Sequence, residues 1–115
     1  MPAHSITRLL HSGVSPEIKL EYHSLRKTLL ILRSVNHKLR QQIIALLDEH
    51  EKLTVTDIFI RLGVDQSVAS QHLSILRRSG VVTTKRVGKN IFYTLHKDRL
   101  NELAMFINES VKLIG

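Results

Sequence analysis

The strongest constraint on this chain is a change of hydrophobic period at Gly80. Upstream, apolar residues recur every three to four positions, the spacing of one face of a helix. Downstream, VVTTKRVGKNIFYTL is rich in β-branched and aromatic residues and is interrupted at Gly88-Lys89-Asn90, which predicts two strands of about six residues joined by a tight turn. Helices, then a hairpin, then one more helix is an order few small folds share.

The helical part divides at its caps. Residues 1–14 read as a loose arm with a short helical turn around Ile6 to Leu10. Ser15 followed by Pro16 and Glu17 predicts the start of a first helix, because Pro at the first helical position has no N–H to leave unpaired. Ile18, Tyr22, Leu25, Leu29 and Leu32 then form a stripe, with Leu30 and Ile31 as a second apolar face. Asn36 is the expected cap of a second helix running to about His50, with Leu39, Ile43, Leu46 and Leu47 inward. Asp48 to Lys52 reads as a surface turn. Thr54 with Asp57 three residues on predicts a capping box and a short third helix burying Val55, Ile58, Phe59 and Leu62 up to Gly63.

A fourth helix is expected from Gln66 to Ser79, stopped by Gly80. Ala69, Leu73 and Leu76 supply its buried stripe, while Gln66, Ser67, Ser70, Gln71, Ser74 and Arg78 cover the opposite arc. His72, beside Leu73, is read as packing partly against the domain through a side-chain hydrogen bond, with a base contact as the lesser alternative. The last helix, from about Asp98 to Ile114, places Leu100, Leu103, Ile107, Val111 and Ile114 on one stripe and leaves Met105, Phe106 and Leu113 off it. First and last helices both carry more apolar surface than one core needs, which predicts a homodimer built on Ile18, Tyr22, Leu25, Leu29, Leu103, Ile107, Val111 and Ile114.

The charge is unevenly placed. Between Gln66 and Lys97 there are six basic residues and no acidic one, whereas the other 83 residues hold 11 basic and 10 acidic groups. A solvated surface normally mixes the signs, so this block points to a polyanion. A helix, a glycine turn, a second helix with a polar outer face and a basic hairpin make a winged helix-turn-helix: mainly α with a small β-hairpin, occupying residues 15–115. Gln66, Ser67, Ser70, Gln71 and Ser74 are small or amide side chains able to reach base edges, and Lys85, Arg86, Lys89 and Asn90 of the hairpin are placed for phosphates or a minor groove. A winged-helix module that binds a protein or an RNA is the alternative.

Other classes are excluded by what the chain lacks. With no cysteine there is no thiolate chemistry, and no nucleophile elbow, phosphate-cradling glycine loop or paired-carboxylate cleft marks an enzyme. The longest apolar runs, Ile43 to Leu47 and Leu103 to Ile107, are too short to cross a bilayer, and the opening residues have no signal-peptide core, so a cytoplasmic location is expected.

The stretch LGVDQSVASQHLSILRRSGVVTTKRVGKNIFYTL resembles the ArsR/SmtB family of winged-helix repressors. The family pattern, roughly L-x-x-S/Q-x-x-V-S-x-H-L-x-x-L-R-x-x-G-L-V with a basic wing ending in Y-x-L, is met by Gln66, Ser70, His72, Leu73, Leu76, Arg77, Gly80, Val82, Tyr93 and Leu95. The resemblance implies a dimeric repressor, joined through its first and last helices, on a palindromic operator in double-stranded DNA. It also implies where metal sites would stand, and there the pattern fails. Thr54 and Thr56 occupy the places of a thiolate pair, and Lys97, Arg99, Ser110 and Leu113 those of a carboxylate and imidazole set. No metal and no cofactor is expected, although a site assembled across a dimer from His4 or His11 with Glu102 or Glu109 stays open. So does an effector, whether a small molecule or a protein.

Overall fold

The protein is represented by a computed structural model that describes residues 21–114. The expected arm, the Ser15-Pro16 start and Ile18 lie outside the described residues, as does the side chain of Ile114. The chain divides into two compact units, one ending at Leu30 and one beginning at Ile31.

The first described element is helix α1, Tyr22–Val35. It does not continue a helix through residue 21, because Glu21 acts as its cap. The Glu21 carboxylate accepts from the His23 N–H at 3.0 Å and from the Ser24 N–H and hydroxyl, both at 2.8 Å. These bonds, His23 N–H first and then the two from Ser24, hold the exposed Glu21 carboxyl below its ordinary range.

In the unit from Ile31 onward, helix α2 spans Lys38–Glu49. Its cap is His37 rather than Asn36: the imidazole Nδ1 accepts from the Leu39 N–H at 3.1 Å, while the Asn36 N–H closes the end of α1 on the Arg33 carbonyl. A ring nitrogen with a free lone pair serves as the acceptor that an amide was expected to provide. Ile43 and Leu47 are fully buried, and Leu39 and Leu46 half-buried beside them.

A two-residue strand β1, Leu53–Thr54, precedes helix α3, Val55–Leu62. Both bonds of the Thr54/Asp57 capping box form, each at 3.2 Å. Gly63 ends α3 at φ +66, with nothing near its missing β-carbon, so glycine is required there by the backbone alone. Helix α4, Gln66–Arg78, follows α3 after three residues, Gly63 to Asp65. It closes through bonds from Gly80 N–H to Arg77 O and from Val81 N–H to Leu76 O.

Strands β2 (Val82–Val87) and β3 (Asn90–Leu95) form the expected hairpin, but β1 joins it, giving an antiparallel sheet in the order β1-β3-β2. Val87 pairs with Asn90 across Gly88-Lys89; Gly88 has φ +63 and Lys89 does not share the positive sign, as in a type II′ turn. Asn90 therefore belongs to the strand and not to the turn. Helix α5, Lys97–Ile114, starts one residue before the expected position, and the His96 Nδ1 accepts from the Arg99 N–H at 3.1 Å at its head.

The core gathers Ile43, Leu47, Leu53, Ile58, Ala69, Leu73, Leu76, Val81 and Val82, so α2, α3, α4 and the sheet share one interior. That interior fixes which side of α4 can meet a partner.

Candidate nucleic-acid interface

Ala69, Leu73 and Leu76 are sealed in the core, all at 0% exposure. At 100° per residue the opposite arc of α4 is centred on Ser67, Gln71, Ser74 and Arg78. These four are exposed, and so are Gln66 and Arg77 on one flank; Ser70, on the same flank, is half-buried. The predicted base-reading residues thus share one surface, with Ser70 turned partly toward the interior. A shallow cleft lined by Ser74, Arg77 and Arg78 marks the C-terminal end of this surface.

The wing residues Lys85, Arg86, Lys89 and Asn90 are all exposed, but they do not form one face. Strand register decides this, since directly paired residues lie on the same side of a sheet. Val82, Thr84 and Arg86 pair with Leu95, Tyr93 and Ile91 on the side turned to the core, and Thr83, Lys85 and Val87 pair with Thr94, Phe92 and Asn90 on the other. Arg86 and Lys85 therefore flank the wing from opposite sides, with Lys89 at its tip. The Arg86 Nε donates to the Gly88 carbonyl at 3.2 Å, folding that side chain back along the turn.

One basic residue escaped the sequence reading. Lys52 places its ammonium 4.9 Å from the centre of the Phe92 ring, which pairs with Lys85 on β2 and Thr54 on β1. Its only signal in the sequence was a position in the mixed-sign run Asp48 to Lys52. Pairing of β1 with β3 is what brings it to the wing.

Behind the exposed arc, His72 is half-buried, as expected of a side chain tying α4 to the scaffold. Arg40 of α2 donates from Nη1 to its Nδ1 at 3.1 Å, and the His37 ring stands 4.6 Å away between centroids. Burial first, and then electrostatic repulsion from the neighbouring His37 and Arg40, hold the His72 imidazole below the usual histidine range.

At the other end of α4, Arg99 of α5 donates from Nη1 to the Ser79 carbonyl at 3.0 Å. Its guanidinium occupies the space where a β-carbon on Gly80 would project, and Gly80 itself is at φ +78. The backbone requires glycine at 80, and a side chain there would also have to displace the Arg99 guanidinium from Ser79.

Several of the positions at which the resemblance would place metal ligands are otherwise engaged. The Thr54 hydroxyl caps α3, Thr56 is exposed, Arg99 holds α4, and the Ser110 hydroxyl donates to the Phe106 carbonyl. Among the described residues no three His, Asp or Glu side chains gather as a cation would require. His4 and His11 lie outside those residues; Glu109 pairs with Lys112 at 3.5 Å.

The expected dimer residues divide three ways. Tyr22, Leu25 and Leu29 are half-buried, and Leu103 is buried within the chain at 8% exposure. Leu103 thus needs no partner copy to leave water, contrary to its place in the predicted interface. Ile107 and Val111 are exposed, together with Met105, Phe106 and Leu113. Among the described residues no helix is long and apolar enough to cross a membrane.

Comparison with known proteins agrees with this geometry. The family model for bacterial regulatory proteins of the ArsR family matches residues 37–84, from the α2 cap into β2. The transcriptional repressor PagR of Bacillus anthracis is 32% identical over 90 residues, 78% of this chain and 90% of PagR. Its crystal structure superposes with a TM-score of 0.66 over 75% of this chain and 99% of that one, at 31% identity. The transcriptional activator HlyU of Vibrio cholerae is 39% identical over 69 residues, 60% of this chain and 63% of HlyU, so the chain spans less than two thirds of that relative. A structure of HlyU superposes with a TM-score of 0.63 over 76% of this chain and 94% of that one, at 32% identity. With α3, the Gly63 turn, α4 and the β2-β3 wing in place, and with a relative matched along nine-tenths of its length, the chain belongs to the ArsR family of bacterial regulatory proteins.

Proposed function

We propose that two copies of this chain bind a palindromic operator in double-stranded DNA and repress the adjacent gene. The observation that carries this reading is the placement of the one-signed block: its six basic residues fall at the end of α4, on the wing and at the head of α5, with no carboxylate in the segment. In this reading α4 enters the major groove, where Gln71 pairs with adenine and Gln66, Ser67, Ser70 and Ser74 meet neighbouring base edges or phosphates. Lys85, Arg86, Lys89 and Asn90 straddle a phosphate ridge or the adjoining minor groove, which suits a wing with cations on both faces.

The exposed apolar residues of α5 are the surface a second copy covers, with Ile107 and Val111 from the expected set and Met105, Phe106 and Leu113 beside them. Repression is favoured over activation because the transcriptional repressor PagR is matched over 90% of its length, against 63% for the activator HlyU. The work is done in the cytoplasm, beside the genome, with a small molecule or a protein as the relieving signal.

Selection of genomic fragments by the purified chain tests the reading: an inverted repeat with half-sites about one helical turn apart is expected. Enrichment no better than random duplex at moderate salt would overturn it. Sedimentation of a monomer at micromolar concentration would remove the dimer, and a reporter that rises with the chain present would reverse the sign of regulation.

A further inference from the structure

One guanidinium joins three helices from Ile31 onward. Arg40, on α2, donates from Nε to the Ser34 carbonyl and from Nη2 to the Arg33 carbonyl at 3.4 Å, both in the last turn of α1, and from Nη1 to His72 on α4. Ser34 is itself buried, and its hydroxyl donates to the Ile31 carbonyl at 2.7 Å. Arginine has five donors and no acceptor, so the contact requires a bare Nδ1 on His72 and its proton on Nε2.

Resting on the reading that α4 enters DNA, we propose that Arg40 is a positioning residue for sequence recognition and that protonation of His72 releases its hold on α4. A proton on Nδ1 removes the acceptor and sets two cations face to face. The groups acting electrostatically on His72 are His37 and Arg40, and neither is an acid. With no carboxylate there to hold an imidazolium, the proton weakens the junction instead of strengthening it.

Base reading and phosphate attraction respond differently. Gln71 and Ser67 must meet base edges at a set angle, which depends on how α4 is held, whereas attraction to phosphates depends on charge and survives a small rotation. An added proton raises the charge. Operator preference therefore falls in acid while binding to random duplex does not. The stability sign agrees: the folded-state value of His72 lies below its unfolded value, so its contribution is present at neutral pH and is lost as pH falls through the folded value.

The test compares binding of the full chain to a selected duplex and to random duplex between about pH 5 and about pH 8, at fixed ionic strength. The selected-to-random affinity ratio of the wild-type chain falls about tenfold toward acid, the scale of one charge-assisted hydrogen bond. His72→Asn, whose amide oxygen takes the place of Nδ1 without titrating, keeps the high ratio throughout; Arg40→Ala has the low ratio throughout. A flat wild-type ratio, or a His72→Asn ratio that falls as the wild type does, overturns the proposal. Imidazole nitrogen shifts recorded without DNA separate the two layers. A proton on Nδ1 of neutral His72 refutes the tie alone, and the expected tautomer with no duplex preferred at any pH refutes the regulator reading.

Discussion

Helices α4 and α5 are both regular and both carry apolar stripes, yet they spend them differently. The α4 stripe is consumed inside the chain, with Ala69, Leu73 and Leu76 at 0% exposure, and what remains outside is amide, hydroxyl and guanidinium. On α5 the inner side is satisfied by Leu103 and Leu100, and Met105, Phe106, Ile107, Val111 and Leu113 stay in water. The contrast teaches that the leftover face, and not the stripe, names the partner: a polar cationic face suits a polyanion and an apolar one suits another protein surface.

The sharpest way to break that contrast is to truncate one residue on each helix. Leu73→Ala opens a cavity in the core and costs about 3 kcal/mol in denaturant unfolding. Val111→Ala shifts the same curve, measured in dilute solution, by less than about 0.5 kcal/mol, and its effect appears in self-association instead. Equal losses at every concentration would erase the distinction. Next in size is Gly80→Ala, which forces a β-carbon into the left-handed region and against Arg99. It costs about 2 kcal/mol of stability and loosens the end of α4 from α5.

Two smaller effects divide the outer surface of α4 from the wing. Gln71→Ala lowers the preference for the selected operator over a single-base variant by about 1 to 2 kcal/mol, read in competition binding. Lys89→Ala weakens binding to every duplex alike, by about 0.5 kcal/mol at moderate salt, and flattens the slope of log affinity against log salt by about one unit. If Lys89→Ala changed base preference and Gln71→Ala did not, the assignment of reading to α4 and holding to the wing would be reversed.

The features legible in the sequence were those with a steric or periodic cause. Gly63, Gly80 and Gly88 each sit at a positive φ, Thr54 and Asp57 form their reciprocal bonds, and the buried residues of α4 fall where the period placed them. Features that depend on distant partners were less legible. Histidine is an uncommon cap because its ring must present the unprotonated nitrogen, so His37 and His96 gave no warning of heading α2 and α5. Strand β1 is too short to alternate, and without it Lys52 could not be joined to Phe92. The opposed sides of Lys85 and Arg86 follow from adjacency in a strand, but the hairpin had to be read in register for that to matter.

The space beneath Gly80 has a consequence for how such a chain can vary over time. Because the tip of the Arg99 guanidinium lies where any larger residue at 80 would place its first carbon, and because it is bonded to Ser79 O, a change at 80 is felt at 99. A side chain gained at 80 evicts the arginine, and an arginine lost from 99 leaves the Ser79 carbonyl to find another donor. Nineteen residues apart in sequence, the two share one guanidinium, so a single substitution at 80 reaches the junction of α4 and α5 through Arg99.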